Sequence, residues 1–255
     1  MATTRAGAAL TAAHRTAQLG ILGSLLNLFE QEWSVDTPFS GAAFVAWLAE
    51  MAPEVAAAYA LSAETAERYY EAFRRAEGVT DTPVRASVDP LDAVALRESL
   101  VRFGPGYVTA LVEEGLTEDR AARRALVAIG LEATKMVMAG GRNSLAAHLS
   151  ADDRARGWAR VARANSCAFC AMLASRGPVY STRRAAGDGR HWHPGCKCQV
   201  EPYFGGRYRL TPEARRYAEL WKRVGTGRLA DFRRALERPD LWERKQREQR
   251  EQADQ

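Results

Sequence analysis

Apolar residues in the first 150 positions recur three and four apart, and the runs are punctuated by residues that start or stop helices. Ser40 stands where a cap is needed for a helix carrying Phe44, Val45, Trp47 and Leu48, which Pro53 is expected to interrupt or kink. Ser62 is placed to cap the next helix, with Glu64 and Glu67 in its early turns and Gly78 as its stop. Asp89-Pro90 reads as a cap with a first-turn proline, opening a helix that ends near Gly104-Pro105-Gly106. Thr117, followed by Glu118 and Asp119, opens a long helix through Leu126, Ile129, Val137 and Met138. Gly140-Gly141 is expected to close it. This region has no internal repeat and no strong strand alternation.

The texture changes after position 150. Ser150 with Asp153 resembles a capping box and predicts a helix over 152–176, stopped by Gly177-Pro178. Residues 178–204 are rich in Gly, His and Cys and hold two β-like stretches, 179–182 and 199–201, so the only strands are expected there. Thr211-Pro212-Glu213 returns the chain to helix, with Tyr217, Leu220, Trp221 and Val224 on it and Gly225 and Gly227 breaking it. A last apolar segment carries Leu229, Phe232 and Leu236. From 243 on, Ala253 is the one apolar residue, which fits a solvated helix end or a disordered tail. The expected fold class is mainly α. A multi-helix domain (1–150) precedes a small Cys/His α+β module (151–204) and a basic helical tail (205–255).

With 47% hydrophobic and 26% charged residues among 255, the chain has enough apolar surface to offset the entropy of ordering. The best candidate for a membrane span, 19–29, is short and contains Gly23, Ser24 and Asn27, so no membrane segment is expected. The start lacks a basic stretch followed by an apolar core, and no signal peptide is expected, which points to a cytosol. Residues 1–100 carry 7 Lys+Arg against 13 Asp+Glu, and residues 101–255 carry 29 against 18, so a net −6 is followed by a net +11. That asymmetry admits nucleic acid or an acidic partner; arginines on solvated helix faces are the plainer explanation.

The candidate chemistry is concentrated in one place. All four cysteines lie within 32 residues, spaced C-x2-C, then 22 residues, then H-x2-C-x-C: Cys167, Cys170, His193, Cys196 and Cys198. If 152–176 is helical, Val161, Ala168, Phe169 and Met172 share a face with Trp158, and Cys167 and Cys170 stand on the opposite face. Two thiols on the side away from a core suit a metal, and thiolate with imidazole suits a structural zinc ion with four ligands. Five candidates compete for four places. Cys167, Cys170 and Cys196 come first, His193 or Cys198 is the fourth, and His191 is a weaker option. Lys197 and Arg190 are placed to soften the thiolate charge. The alternatives are a pair of disulfides or reduced core thiols, but a cytosol disfavours disulfides, which also leave His193 without a role. No H-E-x-x-H and no H-x-E accompanies the thiols, so neither a metalloprotease nor a deaminase site is indicated. The 22-residue gap is also too long for a ββα finger.

These residues resemble a known family. The helix ending in GGRNS (140–144), then GWARV (157–161), CAFCAMLASRG (167–177) and a final H-x-x-C-x-C (193–198) are similar to the Mu protein F-like minor head proteins of tailed bacteriophages. The branch found in phages of actinobacteria is the nearer likeness. The resemblance covers roughly 120–204. Family members often have arginine between the last two cysteines, where this chain has Lys197. The resemblance implies a low-copy head component acting in prohead assembly near the portal. Its implied partners are portal and major capsid proteins, with packaged DNA as a further one. Its implied location is the host cytoplasm during assembly and then the phage head. Members of this branch are also called capsid maturation proteases. A serine protease needs a nucleophile, a base and an orienting group. The chain's histidines are His14, His148, His191 and His193, and only His148, between Ser144 and Ser150, has hydroxyls close by in sequence. A lone histidine between hydroxyls reads as surface decoration, so no catalytic residue is assigned.

Overall fold

Thr4 and Ser40 each open a long helix by accepting a hydrogen bond from a backbone N–H three residues on, Gly7 N and Ala43 N respectively. The computed structural model describes residues 3–82, 84–162, 165–181, 192–242 and 244. The chain is mainly helical, 66% helix, with a small two-stranded sheet. The helices are α1 (Arg5–Glu32), α2 (Gly41–Ala76), α3 (Ala93–Val101), α4 (Pro105–Glu113) and α5 (Glu118–Ala151). They are followed by β1 (Gly157–Val161), α6 (Ala168–Ala174), β2 (Gln199–Tyr203), α7 (Pro212–Val224) and α8 (Leu229–Glu237). The tail expected to be a solvated helix end or disordered lies, Arg244 apart, outside the described residues.

Several expected breaks are not breaks. α2 runs unbroken through Pro53 and Ser62, because one stripe (Trp47, Met51, Val55, Tyr59, Ala66, Tyr70, Phe73) stays buried along its whole length. Packing of that stripe on α1 and α5 outweighs the hydrogen bond that proline removes. Ser62 is buried mid-helix, where its hydroxyl donates to Gln18 Oε1 (2.6 Å) and accepts from Gly141 N (3.0 Å). Nor do Gly140 and Gly141 end α5. They let it approach α2 closely: a Cβ on Gly140 would lie 2.3 Å from Tyr59 O, and one on Gly141 would lie 2.9 Å from Gln18 Nε2. The cap of α3 is Asp92, not Asp89, and Pro105 begins α4 instead of marking an end. Thr117, Thr211, Gly78 and Gly225 act as expected. By length and composition alone α2 would suffice to cross a membrane, which the sequence reading did not expect of any segment.

The largest departure is at 152–176. Ser150 lies in the last turn of α5, Asp152 is its C-cap, and GWARV is a strand. β1 pairs antiparallel with β2, Gly157 opposite Tyr203 and Val161 opposite Gln199. Gly157 has φ +147°, and a Cβ there would meet Tyr180 O at 2.8 Å, so glycine is needed where the strand begins against Tyr180. Trp158 also exchanges backbone hydrogen bonds with Tyr180. The expected β-like stretch at 179–182 is thus represented by one bridge, with Thr182 outside the described residues. All five residues of β1 are buried, so no alternation marks it in sequence.

Two main cores result. One joins α1, α2, α3 and α5 through Phe29, Trp47, Leu100 and Ile129. The other joins the C-terminal halves of α2 and α5 to the sheet, the cysteine segments and helices α6 to α8, through Phe73, Leu145, Trp158, Cys170, Cys196, Tyr217 and Phe232. A buried ion pair helps fix this joint: Asp152 accepts from Arg74 Nε (2.7 Å), Tyr70 OH (2.9 Å) and Arg154 N (2.9 Å), and Arg74 also pairs with Asp81.

Candidate metal centre

Two turns bring the cysteines together. Cys167 is the N-cap of α6, its sulfur accepting from Cys170 N at 3.5 Å, so both thiols point to one side of the helix start. The wheel drawn for a long helix therefore does not apply, but the same two residues converge. The second turn is His193-Pro194-Gly195-Cys196, closed by Cys196 N donating to His193 O (3.0 Å). Gly195 has φ +72° and a Cβ on it would strike Leu131 Cδ2 at 2.6 Å, while its N–H donates to Leu131 O. Glycine lets this turn lie flat on α5.

All four cysteines are free thiols. Cys170 Sγ lies 3.6 Å from Cys196 Sγ and 3.8 Å from His193 Nε2, and Cys167 Sγ lies 3.2 Å from His193 Nε2. Two groups able to bind a metal ion share Cys170: Cys167, Cys170 and His193 form one, and Cys170, Cys196 and Cys198 form the other. Tetrahedral zinc with bonds of about 2.3 Å to sulfur and about 2.0 Å to nitrogen implies ligand–ligand edges of roughly 3.5–3.8 Å. The 3.6 and 3.8 Å separations match those edges and the 3.2 Å one is shorter, while each mutually close group holds three residues. His193 Nδ1 donates to Pro194 O (2.8 Å), which leaves the Nε2 lone pair for a ligand. Cys170, Cys196 and Cys198 are buried, while Cys167 and His193 are exposed. Cys198 Sγ also has Ser166 Oγ at 4.0 Å. Of the other residues considered, His191 and Arg190 lie outside the described residues.

The electrostatics divide the thiols: Cys167 and Cys196 are held low, while Cys170 and Cys198 are pushed up. The contact with the Cys170 thiol, helped by the Cys170 N–H and His193, holds Cys167 down at about 5. Cys196 is held low by the Cys170 and Cys198 thiols and by Arg142, and Cys170 is pushed up by its three sulfur neighbours. Burial lowers the pKa of His193, but its bond to Pro194 and the neighbouring sulfurs leave it raised.

Sequence reasoning looked to Lys197 and Arg190 for compensating charge and missed the groups that supply it. Arg142 of α5 is buried, and its Nη2 donates to Cys196 O (2.6 Å) and Cys198 O (3.0 Å), with Nε on Cys198 O (3.3 Å). The Arg142 guanidinium lies 3.7 Å from the centre of the Trp192 ring, and that of Arg160, buried in β1, lies 3.4 Å from it. Burial lowers Arg142 to about 10, against the pull of the Cys196, Cys198 and Cys170 sulfurs. The available signal was an arginine in the apolar i, i+4 stripe of α5, between Met138 and Leu145.

His148 is no surface residue. It is fully buried, with Nδ1 on the Ser144 carbonyl (2.8 Å), Nε2 3.9 Å from Glu67 Oε1, and the ring against Tyr70. The Ser150 hydroxyl donates to Ala146 O.

The fold and site define a mainly helical protein with Cys/His groups able to bind a metal ion. The chain belongs to the family described as VG15 protein, whose model matches residues 1–224, and this is a phage-type family. Membership places the protein in a virion or in the host cell during infection. No curated protein and no solved structure matches the chain.

Proposed function

We propose that this chain is a minor head protein of a tailed phage, acting in prohead assembly beside the portal, with one structural zinc ion tying α6 to the segment before β2. The observation that carries the role is family membership over 1–224, together with the likeness of GWARV, CAFCAMLASRG and H-x-x-C-x-C to Mu protein F-like minor head proteins. In the fold those three segments are neighbours: β1, α6 with its cap, and the turn leading into β2. For the metal, we assign Cys167, Cys170, His193 and Cys196 as ligands and Cys198 as a buried thiol behind them. The separations around Cys170 and the His193 tautomer support Cys167, Cys170 and His193, and Cys196 joins them through its 3.6 Å contact with Cys170, although it does not lie within 4.8 Å of both Cys167 and His193, so the ion has to draw it in. Zinc would supply cross-linking and charge neutralisation, and metal binding at such a site is coupled to folding. Portal and major capsid proteins are the proposed partners, with packaged DNA as a further one.

The tests are direct. Reduced, purified protein should carry about one zinc per chain by elemental analysis. Cys170→Ser and His193→Ala should lower metal content and melting temperature together, and Cys198→Ser should retain the metal. Metal-free protein of unchanged stability would sink the zinc reading. For the role, co-expressed portal protein should co-purify with the chain, and the chain should be found in purified virions at low copy. If it instead processes co-expressed capsid protein in a manner that His148→Ala abolishes, the protein is a prohead protease and the structural reading fails.

A further inference from the structure

A cleft of about 440 Å³ opens between α3, α5 and the sheet. Its size falls within the range of small-molecule sites, and its lining is mostly apolar. Trp158, Met136 and Leu91 supply apolar walls, with the edge of Trp192, whose ring faces carry Arg142 and Arg160. Arg142 belongs to the same lining while being only 4% exposed. Its Nη2 and Nε are spent on the Cys196 and Cys198 carbonyls. Its remaining nitrogen, Nη1, is buried and finds no hydrogen-bond partner among the described residues. A buried guanidinium N–H without an acceptor is costly, and a carboxylate is the acceptor that best matches it.

We propose that this cleft is a binding site for an apolar carboxylate, the apolar group lying against Trp158, Met136 and the edge of Trp192 and the carboxylate accepting from Arg142 Nη1, which is closed to solvent in this structure and is uncovered by a small shift of the guanidinium as the ligand enters. Of the charged groups in the lining, Asp92 is occupied in capping α3 through Val94 N and Ala95 N, and Lys135 adds a second cation to oppose the exposed Asp89. The ligand chemistry has two sources, a free small acid and the C-terminal carboxylate of a protein chain that ends in an apolar residue. Both present one charged oxygen pair next to one apolar group.

The probe for the first source is 4-phenylbutyrate, and its control is the neutral 4-phenylbutyramide. Calorimetry on the full-length protein should give a Kd of roughly 0.1–1 mM for the acid and binding about tenfold or more weaker for the amide. The probes for the second source are acetyl-Gly-Gly-Phe with a free and with an amidated C-terminus. A free peptide that binds more tightly than 4-phenylbutyrate assigns the site to a protein terminus, and the reverse order assigns it to a small acid. Ala139→Trp on α5 and, separately, Ser99→Trp on α3 fill the cleft from opposite walls. Each should abolish binding with the circular dichroism spectrum unchanged, and either variant alone suffices if the other misfolds. Equal affinity for acid and amide, no heat up to 10 mM of any probe, or binding that survives a folded filled variant overturns the proposal.

Discussion

Removing the Asp152 carboxylate should loosen the joint between the C-terminal end of α2 and the turn that follows α5. Asp152→Ala strips the acceptor from three donors at once: Arg74 Nε, Tyr70 OH and Arg154 N. Arg74 and Asp152 are 2% and 1% exposed in their side chains, so the guanidinium left behind is poorly reached by water. Breaking one side of a buried ion pair costs about 3–5 kcal/mol. Arg74 keeps its pairing with the half-exposed Asp81, which argues for the lower end, about 3 kcal/mol. For a chain of this length that is a fall in melting temperature of roughly 6–12 °C. The measurement is thermal and urea unfolding at pH 7 with metal content held equal. The double variant Arg74→Met with Asp152→Leu should regain most of the loss, because no charge is then buried alone. Acidity gives an independent reading. Burial pushes the Asp152 carboxyl up, but Arg74, Arg154 N and Tyr70 outweigh it and hold it below its ordinary 3.8. A depressed folded pKa means the contribution is full above the unfolded value and is lost as pH falls through the folded one. The gap between wild type and Asp152→Asn should therefore be constant above about pH 5 and shrink below about pH 4. A drop under 2 °C for Asp152→Ala, or a double variant no better than the single one, refutes this account.

Other perturbations test other parts of the structure. Gly140→Ala should destabilise by about 1–3 kcal/mol through its clash with Tyr59 O, although alanine is intrinsically the better helix former by about 1 kcal/mol; a more stable variant in urea unfolding would mean α2 and α5 are not in close contact there. Arg142→Lys keeps the charge but loses the fork that holds the Cys196 and Cys198 carbonyls. It should weaken zinc retention about 10–100-fold in a chelator competition, and unchanged retention would show the fork to be dispensable. Burial holds His14, stacked on Tyr69, neutral down to about 4 against its ordinary 6.5. The unfolded chain binds the extra proton between those values, so His14 should withdraw on the order of 3 kcal/mol of stability as pH falls from 6.5 to 4. His14→Phe should flatten the melting curve against pH in that window relative to wild type, and parallel curves would exclude the effect.

The helical half was legible where local chemistry and tertiary packing agree. Ser40, Thr117 and Thr211 cap helices because an accepting oxygen there satisfies a backbone N–H that nothing else would reach. It was misread where the same residue type serves packing. Ser62 looks like a cap but ties α1 to α5, and Gly140-Gly141 looks like a stop but admits the backbone of α2. Both are contacts between residues 44 to 81 positions apart, which no window of sequence contains. GWARV was lost for a related reason. A strand buried on both faces carries no alternation, and its identity is set by Tyr203 and Tyr180, not by its neighbours.

The cysteines were legible because ligand spacing is a local property, fixed by what one helix start and one tight turn can bring together. Their electrostatic partners were not, since Arg142 and Arg160 come from elements that are distant in sequence from the second turn. Yet those arginines sit inside GGRNS and GWARV, two of the segments on which the family resemblance rests, and the structure gives a physical reason for that coincidence. Thiolates concentrated in a core need cations, and a cation that is itself buried needs carbonyls and an aromatic face. Arg142 meets all of these needs at once, facing the sulfurs, holding the Cys196 and Cys198 carbonyls and stacking on Trp192. Trp192 in turn takes Arg160 on its ring. A change at any one of these residues leaves a buried charge or a buried carbonyl unmatched in the others. GWARV, the cysteine turn and α5 are therefore tied into a single electrostatic unit, which links the turn to the helical bundle through Arg142.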